Sequence, residues 1–98
     1  MAVIRFEWDA TKDAANQRKR RVSFEEAATV FEDDHALLQE DEEHAEEEER
    51  FVLLGLSAVS RILIVCHCYR ESDEIIRIIS ARRADRLERR DYQQRLER

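Results

Sequence analysis

From Arg50 to Ile79 the chain alternates apolar and polar side chains, is rich in β-branched residues, and is broken only at Ala58–Ser60 and Glu71–Asp73. A period of two is the signature of a half-buried strand. The pattern predicts strands at Arg50–Ser57, Arg61–Tyr69 and Glu74–Ile79. Connections of about three residues are too short for a crossover, so these strands must be antiparallel neighbours. The chain has no proline and one glycine, Gly55, so the remaining boundaries are read from caps and periodicity.

Ahead of this meander, Ala2–Trp8 also alternates and predicts a first strand. Asp9 can cap a helix running from Ala10 to about Lys19. Ser23-Phe-Glu-Glu26 is a capping-box signature, with Val22 placed to staple onto Ala27. Phe24, Ala27, Ala28 and Phe31 follow at helical spacing, giving a second helix with one apolar stripe. Ala36–Gln39 is a further short strand, and the acidic run Asp41–Glu49 predicts a loop or hairpin tip. Ser80 is positioned to cap a last helix extending to about Leu96. The predicted order is β-α-α-β-β-β-β-α, an α+β fold with an antiparallel sheet flanked by helices, in one domain spanning residues 1–98.

Charge is distributed unevenly. The formal net charge is -6, yet residues 32–49 carry eleven acidic and no basic side chains, whereas residues 77–98 carry eight basic and four acidic ones. Electrostatic potential is local, so the acidic balance leaves room for an anionic ligand near the Arg-rich end. No apolar stretch approaches the roughly 20 residues of a membrane helix. The start MAVIRFEWD carries charge too early for a signal sequence, so a soluble, cytoplasmic protein is expected. Cys66 and Cys68 lie two apart on one strand face, about 6.5–7 Å from each other. A disulfide requires Cβ atoms about 4 Å apart, and no second CxxC or HxxxH completes a zinc set, so neither a bridge nor a metal is expected.

Chemistry concentrates in the basic residues. With Ser80 as cap, Arg82 and Arg83 fall in the first turn of the last helix, and Arg77 lies three residues before the cap. Cations there face the positive pole of the helix dipole, at a cost of roughly 0.3–1 kcal/mol each. Either a phosphate docks among these guanidinium groups and the helix amides, or the arginines pair with carboxylates. The run Arg18-Lys19-Arg20-Arg21 extends the basic surface, although cations are also welcome at a helix C-terminus. His67 lies within a strand and is either a half-buried imidazole or a group for proton transfer. Trp8 and Tyr92 can stack a base or serve the core.

Several of these segments together resemble one family. FEWD at 6–9 with Lys12 and Asn16, then Lys19, Val22-Ser-Phe-Glu-Glu-Ala27, Val30-Phe31 and Asp34, then Glu49-Arg50, Leu54-Gly55 and Ser57, and finally Ile76-Arg-Ile-Ile-Ser-Ala-Arg82, Glu88-Arg and Tyr92, are similar to the BrnT family of bacterial type II toxins. The likeness runs from about Phe6 to Tyr92. It implies a RelE-like ribonuclease that cleaves RNA without a metal or other cofactor and inhibits translation. It further implies neutralisation by a BrnA-type antitoxin with a ribbon-helix-helix domain, in a heterotetramer that meets DNA only through the antitoxin.

Placed in that frame, Arg77 and Arg82 would stabilise the phosphorane, Lys19 and Arg50 would position the backbone, and His67 would move protons. Trp8, Arg20, Arg83 and Tyr92 would complete the RNA contacts. One departure stands out. The family's Lys-His-Gly-Val is Lys19-Arg20-Arg21-Val22 here, so an arginine that stays protonated replaces the histidine. Arg21 in a left-handed turn would cost about 1 kcal/mol. Ser60 likewise stands where a turn glycine is common. The alternative function is a catalytically silent homologue that acts as a protein-interaction module, binding the antitoxin and supporting repression of the operon.

Overall fold

The computed structural model describes residues 4–41, 49–71 and 73–97. The strands are β1 (Arg5–Glu7), β2 (Leu37–Glu40), β3 (Phe51–Leu56), β4 (Ile62–Arg70) and β5 (Ile75–Arg83). The helices are α1 (Ala10–Arg20), α2 (Phe24–Thr29), continued by a 3-10 turn at Val30–Glu32, and α3 (Arg86–Leu96). The predicted element order holds. Ala2 and Val3 of the first predicted strand, and most of the acidic run from Asp41 to Glu49, lie outside the described residues.

All five strands form one sheet in the order β1-β5-β4-β3-β2. The meander β3 to β5 is antiparallel, as the short connections demanded, and β2 also pairs antiparallel with β3. The sheet is mixed, however, because β1 lies parallel to β5, with Phe6 opposite Ile76 and Glu7 opposite Arg77. The α1–α2 pair opens the long excursion between these two neighbouring strands.

The main correction to the sequence reading concerns Ser80. It lies inside β5, paired with Cys66, and β5 continues to Arg83 opposite Leu63. Its nine residues match the nine of β4, and this pairing overrides the local helix preference of Ser-Ala-Arg-Arg. Asp85 is the true cap of α3: it accepts from the Glu88 amide at 2.9 Å, and the Glu88 carboxylate accepts from the Asp85 amide at 2.8 Å. Arg82 and Arg83 therefore end a strand, and the helix dipole that they were expected to oppose carries acidic groups at its start.

The two faces of the sheet are covered unequally. One face packs on α1, α2 and the 3-10 turn through Val22, Phe24, Ala27, Val30, Leu53, Leu63, Val65, Ile78 and Ala81. The stripe read from Phe24, Ala27, Ala28 and Phe31 does face this layer, and Trp8 meets the Phe24 ring edge-on at 6.3 Å. On the other face, Tyr92 of α3 packs with Leu54 and Ala84, joined by Leu37, Ile62 and Ile64. This helix reaches only part of that face. The sole glycine sits where the 3-10 turn crosses β3: a Cβ on Gly55 would come within 2.9 Å of both Ala36 Cβ and Val30 Cγ1.

Capping follows the sequence only in part. Ser23 accepts the Glu26 amide at 3.0 Å, as read. The Glu26 carboxylate, however, turns away from the cap to Arg61 and to the Ser57 hydroxyl, which donates at 2.7 Å. Arg61 also donates to the Arg21 carbonyl at 2.9 Å. Arg21 closes α1 in the left-handed region at φ 60, ψ 31, so the turn is made despite the missing glycine. Ser60 does the same between β3 and β4 at φ 64. Replacing Arg21 with glycine should relieve this strain and raise stability by about 0.5–1 kcal/mol, read as a melting temperature higher by about 3–6 °C.

Candidate functional site

The strand registers lay out a floor on the face that α3 leaves open. One row across the sheet is Gln39, Val52, Cys66 and Ser80, and the row beneath α3 is Leu37, Leu54, Ile64 and Arg82. At the other end, the Asp41 amide donates to the Arg50 carbonyl at 2.8 Å, prolonging the β2–β3 ladder by one step. A step in register between Cys66 and His67 leaves Ile79 without a directly opposed residue and puts Ser80 beside Cys66.

These rows form the base of a cleft of about 370 Å³. Val52, Ile64, Cys66 and Ser80 line its floor, with Arg50 and Asp41 at one end and Arg82 at the other. Beyond the β5 edge, Arg20 and Asn16 of α1 complete the wall. Three guanidinium-bearing residues that are remote in sequence thus share one concavity. Arginine stays charged at any physiological pH and presents a planar fork that suits phosphate oxygens.

Arg82 is held in a bidentate pair by Glu88, at 2.7 and 2.9 Å. That pairing holds the Glu88 carboxyl below its usual range and raises Arg82 further. Asn16 is buried and makes three hydrogen bonds: its amide donates to the Val22 carbonyl at 2.8 Å and to the Ala81 carbonyl at 2.9 Å, and its oxygen accepts from the Ala81 amide at 3.2 Å. Ala81 lies between two residues of the cleft, Ser80 and Arg82. Burial, aided by Asp41, pushes the Cys66 thiol up, so it stays protonated.

The other residues picked from the sequence lie elsewhere. Arg77 is on the same face but pairs with Glu7 at 3.1 Å near the β1 edge, outside the cleft lining. Arg83 turns to the helix-covered side, where its charge helps to lower Glu26. Lys19 is exposed on α1 and does not line the cleft. Trp8 is a core staple beneath the helices, and Tyr92 is 2% exposed with its hydroxyl donating to Asp33 at 2.6 Å. Burial and this carboxylate push Tyr92 up to about 12. The Tyr92 ring is not available to stack a base.

His67 is the clearest correction. It is fully buried on the helix-covered face, among Phe31, Phe51 and Tyr69 at ring-centre distances of 4.7, 6.1 and 5.3 Å. Its Nδ1 lies 3.1 Å from the Val65 carbonyl, which can only accept, so Nδ1 carries the proton; Nε2 accepts from the Tyr69 hydroxyl at 3.3 Å. Desolvation lowers its pKa below 6.5. The sheet separates it from the cleft, and it is a core histidine.

The sign of the resulting pH dependence is fixed. The unfolded chain binds a proton at His67 near pH 6.5 while the folded one does not, so stability falls as pH drops below that value. Urea midpoints at about pH 7.5 and 5.5 should differ more for the wild type than for His67→Phe.

The family assignment rests on most of the chain, from the end of β1 to the start of α3. A family model described as the ribonuclease toxin BrnT of type II toxin–antitoxin systems matches residues 8–88. The chain belongs to the BrnT family. The 1.1 Å crystal structure of the Brucella abortus ribonuclease toxin BrnT matches it with a TM-score of 0.67 over 86% of this chain and 100% of that one. At 19% identity this shows a shared fold. No curated protein sequence matches the chain significantly.

Within the BrnT span fall Arg20, Asp41, Arg50, Arg82 and Glu88, so the cleft is built from the matched region. Arg20, from the basic run at the end of α1, reaches the cleft wall. Asn16, Asp41 and Glu88 were not singled out as site residues from the sequence. The spacing Asp85-Arg-Leu-Glu88 is a capping-box pattern that gave a readable signal for Glu88. Asp41 was hidden inside an acidic run.

Proposed function

We propose that this BrnT-family chain is a metal-independent endoribonuclease whose single domain binds an RNA backbone in the Arg20–Arg50–Arg82 cleft. The 2′-hydroxyl attacks the adjacent phosphate, and the strand breaks to a cyclic phosphate and a 5′-hydroxyl. Cleavage of cytoplasmic RNA inhibits translation until a BrnA-type antitoxin, through a ribbon-helix-helix dimer in a heterotetramer, covers the toxin. The observation that carries this reading is the convergence of three arginines from α1, the start of β3 and β5 on one open concavity. A second basic hollow along α3, lined by Arg86, Arg89 and Arg90, offers further phosphate contacts outside the cleft. No helix among the described residues is long and apolar enough to cross a membrane.

The test is incubation of the purified chain with unstructured RNA in EDTA. Cyclic-phosphate ends should accumulate at the same rate with or without the chelator; intact RNA in both, or cleavage only with added metal, would overturn the reading. One observation favours the non-catalytic alternative, namely that Glu88 already occupies the Arg82 fork. Expression in a bacterium separates the two: the nuclease arrests growth, whereas an interaction module leaves it unchanged.

A further inference from the structure

RNA cleavage by an internal hydroxyl needs a proton acceptor, and the histidine expected from the sequence is not available. His67 is sealed on the far side of the sheet. Arg20, Arg50 and Arg82 cannot take up a proton near neutrality. Ser80 and Asn16 are not bases, and the Cys66 thiol is held protonated by its burial. Among the described residues that line the cleft, one carboxylate is left.

Resting on the ribonuclease reading, we infer that Asp41 is the general base of this chain, accepting the 2′-hydroxyl proton inside the arginine cleft. Its backbone is fixed by the ladder bond to Arg50, and its Oδ2 lies 3.8 Å from Cys66 Sγ, a residue of the cleft floor. The carboxylate therefore shares a wall with Arg50 and faces the same concavity as Arg20 and Arg82. A phosphate held by the guanidinium groups presents its neighbouring ribose to the cleft rim where Asp41 stands. As the O2′–P bond forms, the O2′ proton passes to the Asp41 carboxylate. The P–O5′ bond breaks, the departing oxygen takes a proton from water, and Asp41 returns its proton to solvent. The products are the 2′,3′-cyclic phosphate and the 5′-hydroxyl, with no other reactant consumed.

This role separates turnover from binding. Asp41→Asn keeps the shape and removes a negative charge from a phosphate site, so affinity for a non-cleavable 2′-deoxy oligonucleotide should be equal to or tighter than that of the wild type. Turnover on unstructured RNA should fall by about 10²-fold or more, the range for loss of a positioned base. Asp91→Asn, which removes the same charge on the exposed side of α3, should cut at the wild-type rate. An Asp41→Asn protein that cleaves as fast as wild type overturns the assignment and leaves the nuclease standing. One that loses binding and cleavage together shows a structural role and overturns it as well. Wild-type protein that does not cleave at all removes the nuclease reading, and this inference with it.

Discussion

Arg82→Ala is expected to slow RNA cleavage by about 10²–10³-fold while barely moving the melting temperature. The two halves of this expectation have different causes. Loss of a donor aimed at charge that develops in the transition state typically costs about 3–4 kcal/mol in the barrier. Arg82 stands at the edge of a cleft that also receives Arg20 and Arg50, and because Glu88 holds its fork at 2.7 and 2.9 Å, the phosphate has to share or displace that carboxylate. The ion pair itself contributes little to stability: the Arg82 side chain is 40% exposed and Glu88 26%, a setting in which solvent screening leaves such pairs worth under about 1 kcal/mol. Glu88 also keeps its bond to the Asp85 amide after the substitution, so α3 retains its cap. Single-turnover cleavage and thermal melting of the same sample check both halves. A rate within tenfold of wild type would mean that the cleft arginine does not meet the reacting phosphate.

The sequence singled out Arg82, and the structure places it at the edge of the cleft, but for a different physical reason. Arginines in the first turn of a helix would have been electrostatically misplaced, and this pointed to a bound anion. The structure removes the misplacement, because β5 runs on to Arg83 and α3 starts under Asp85. What decides the boundary is the length of β4, a long-range constraint that no local window around Ser80 contains. The meander, the Ser23 cap and the stripe of α2 were all readable because they depend on spacings within a few residues. The parallel pairing of β1 with β5 was not, since it joins residues some seventy positions apart. His67 failed for a related reason. Period two correctly placed it with Leu63 and Val65, but only the packing of Phe31 and Phe51 around the ring shows how completely that face is closed. Asp41 was passed over because a carboxylate in an acidic run looks like any other until β2 and β3 bring it against Arg50.

The largest expected effect on folding belongs to Asn16. β1 ends at Glu7, opposite Arg77, and leaves the outer edge of β5 beyond that point without a strand partner. Asn16 takes the place of one: its amide group donates to the Ala81 carbonyl and accepts from the Ala81 amide, as a neighbouring strand would. Its second donor ties down the Val22 carbonyl just after the left-handed turn at Arg21. Asn16→Ala deletes three hydrogen bonds and strands buried backbone groups, each costing about 1–3 kcal/mol when left unpaired. A loss of about 3 kcal/mol or more is therefore expected, seen as a melting temperature lower by roughly 12–20 °C. Asn16→Asp discriminates between lost volume and lost donors. An ionised carboxylate there faces two carbonyl oxygens and can donate to neither, whereas its protonated form regains one donor. Its pKa in the folded state is thereby raised, so the stability that protonation restores is present at acid pH and lost as pH rises. Relative to wild type, Asn16→Asp should be least stable near neutrality and recover part of the deficit at about pH 4. A deficit independent of pH would show that Asn16 fills space and does not serve as the missing strand.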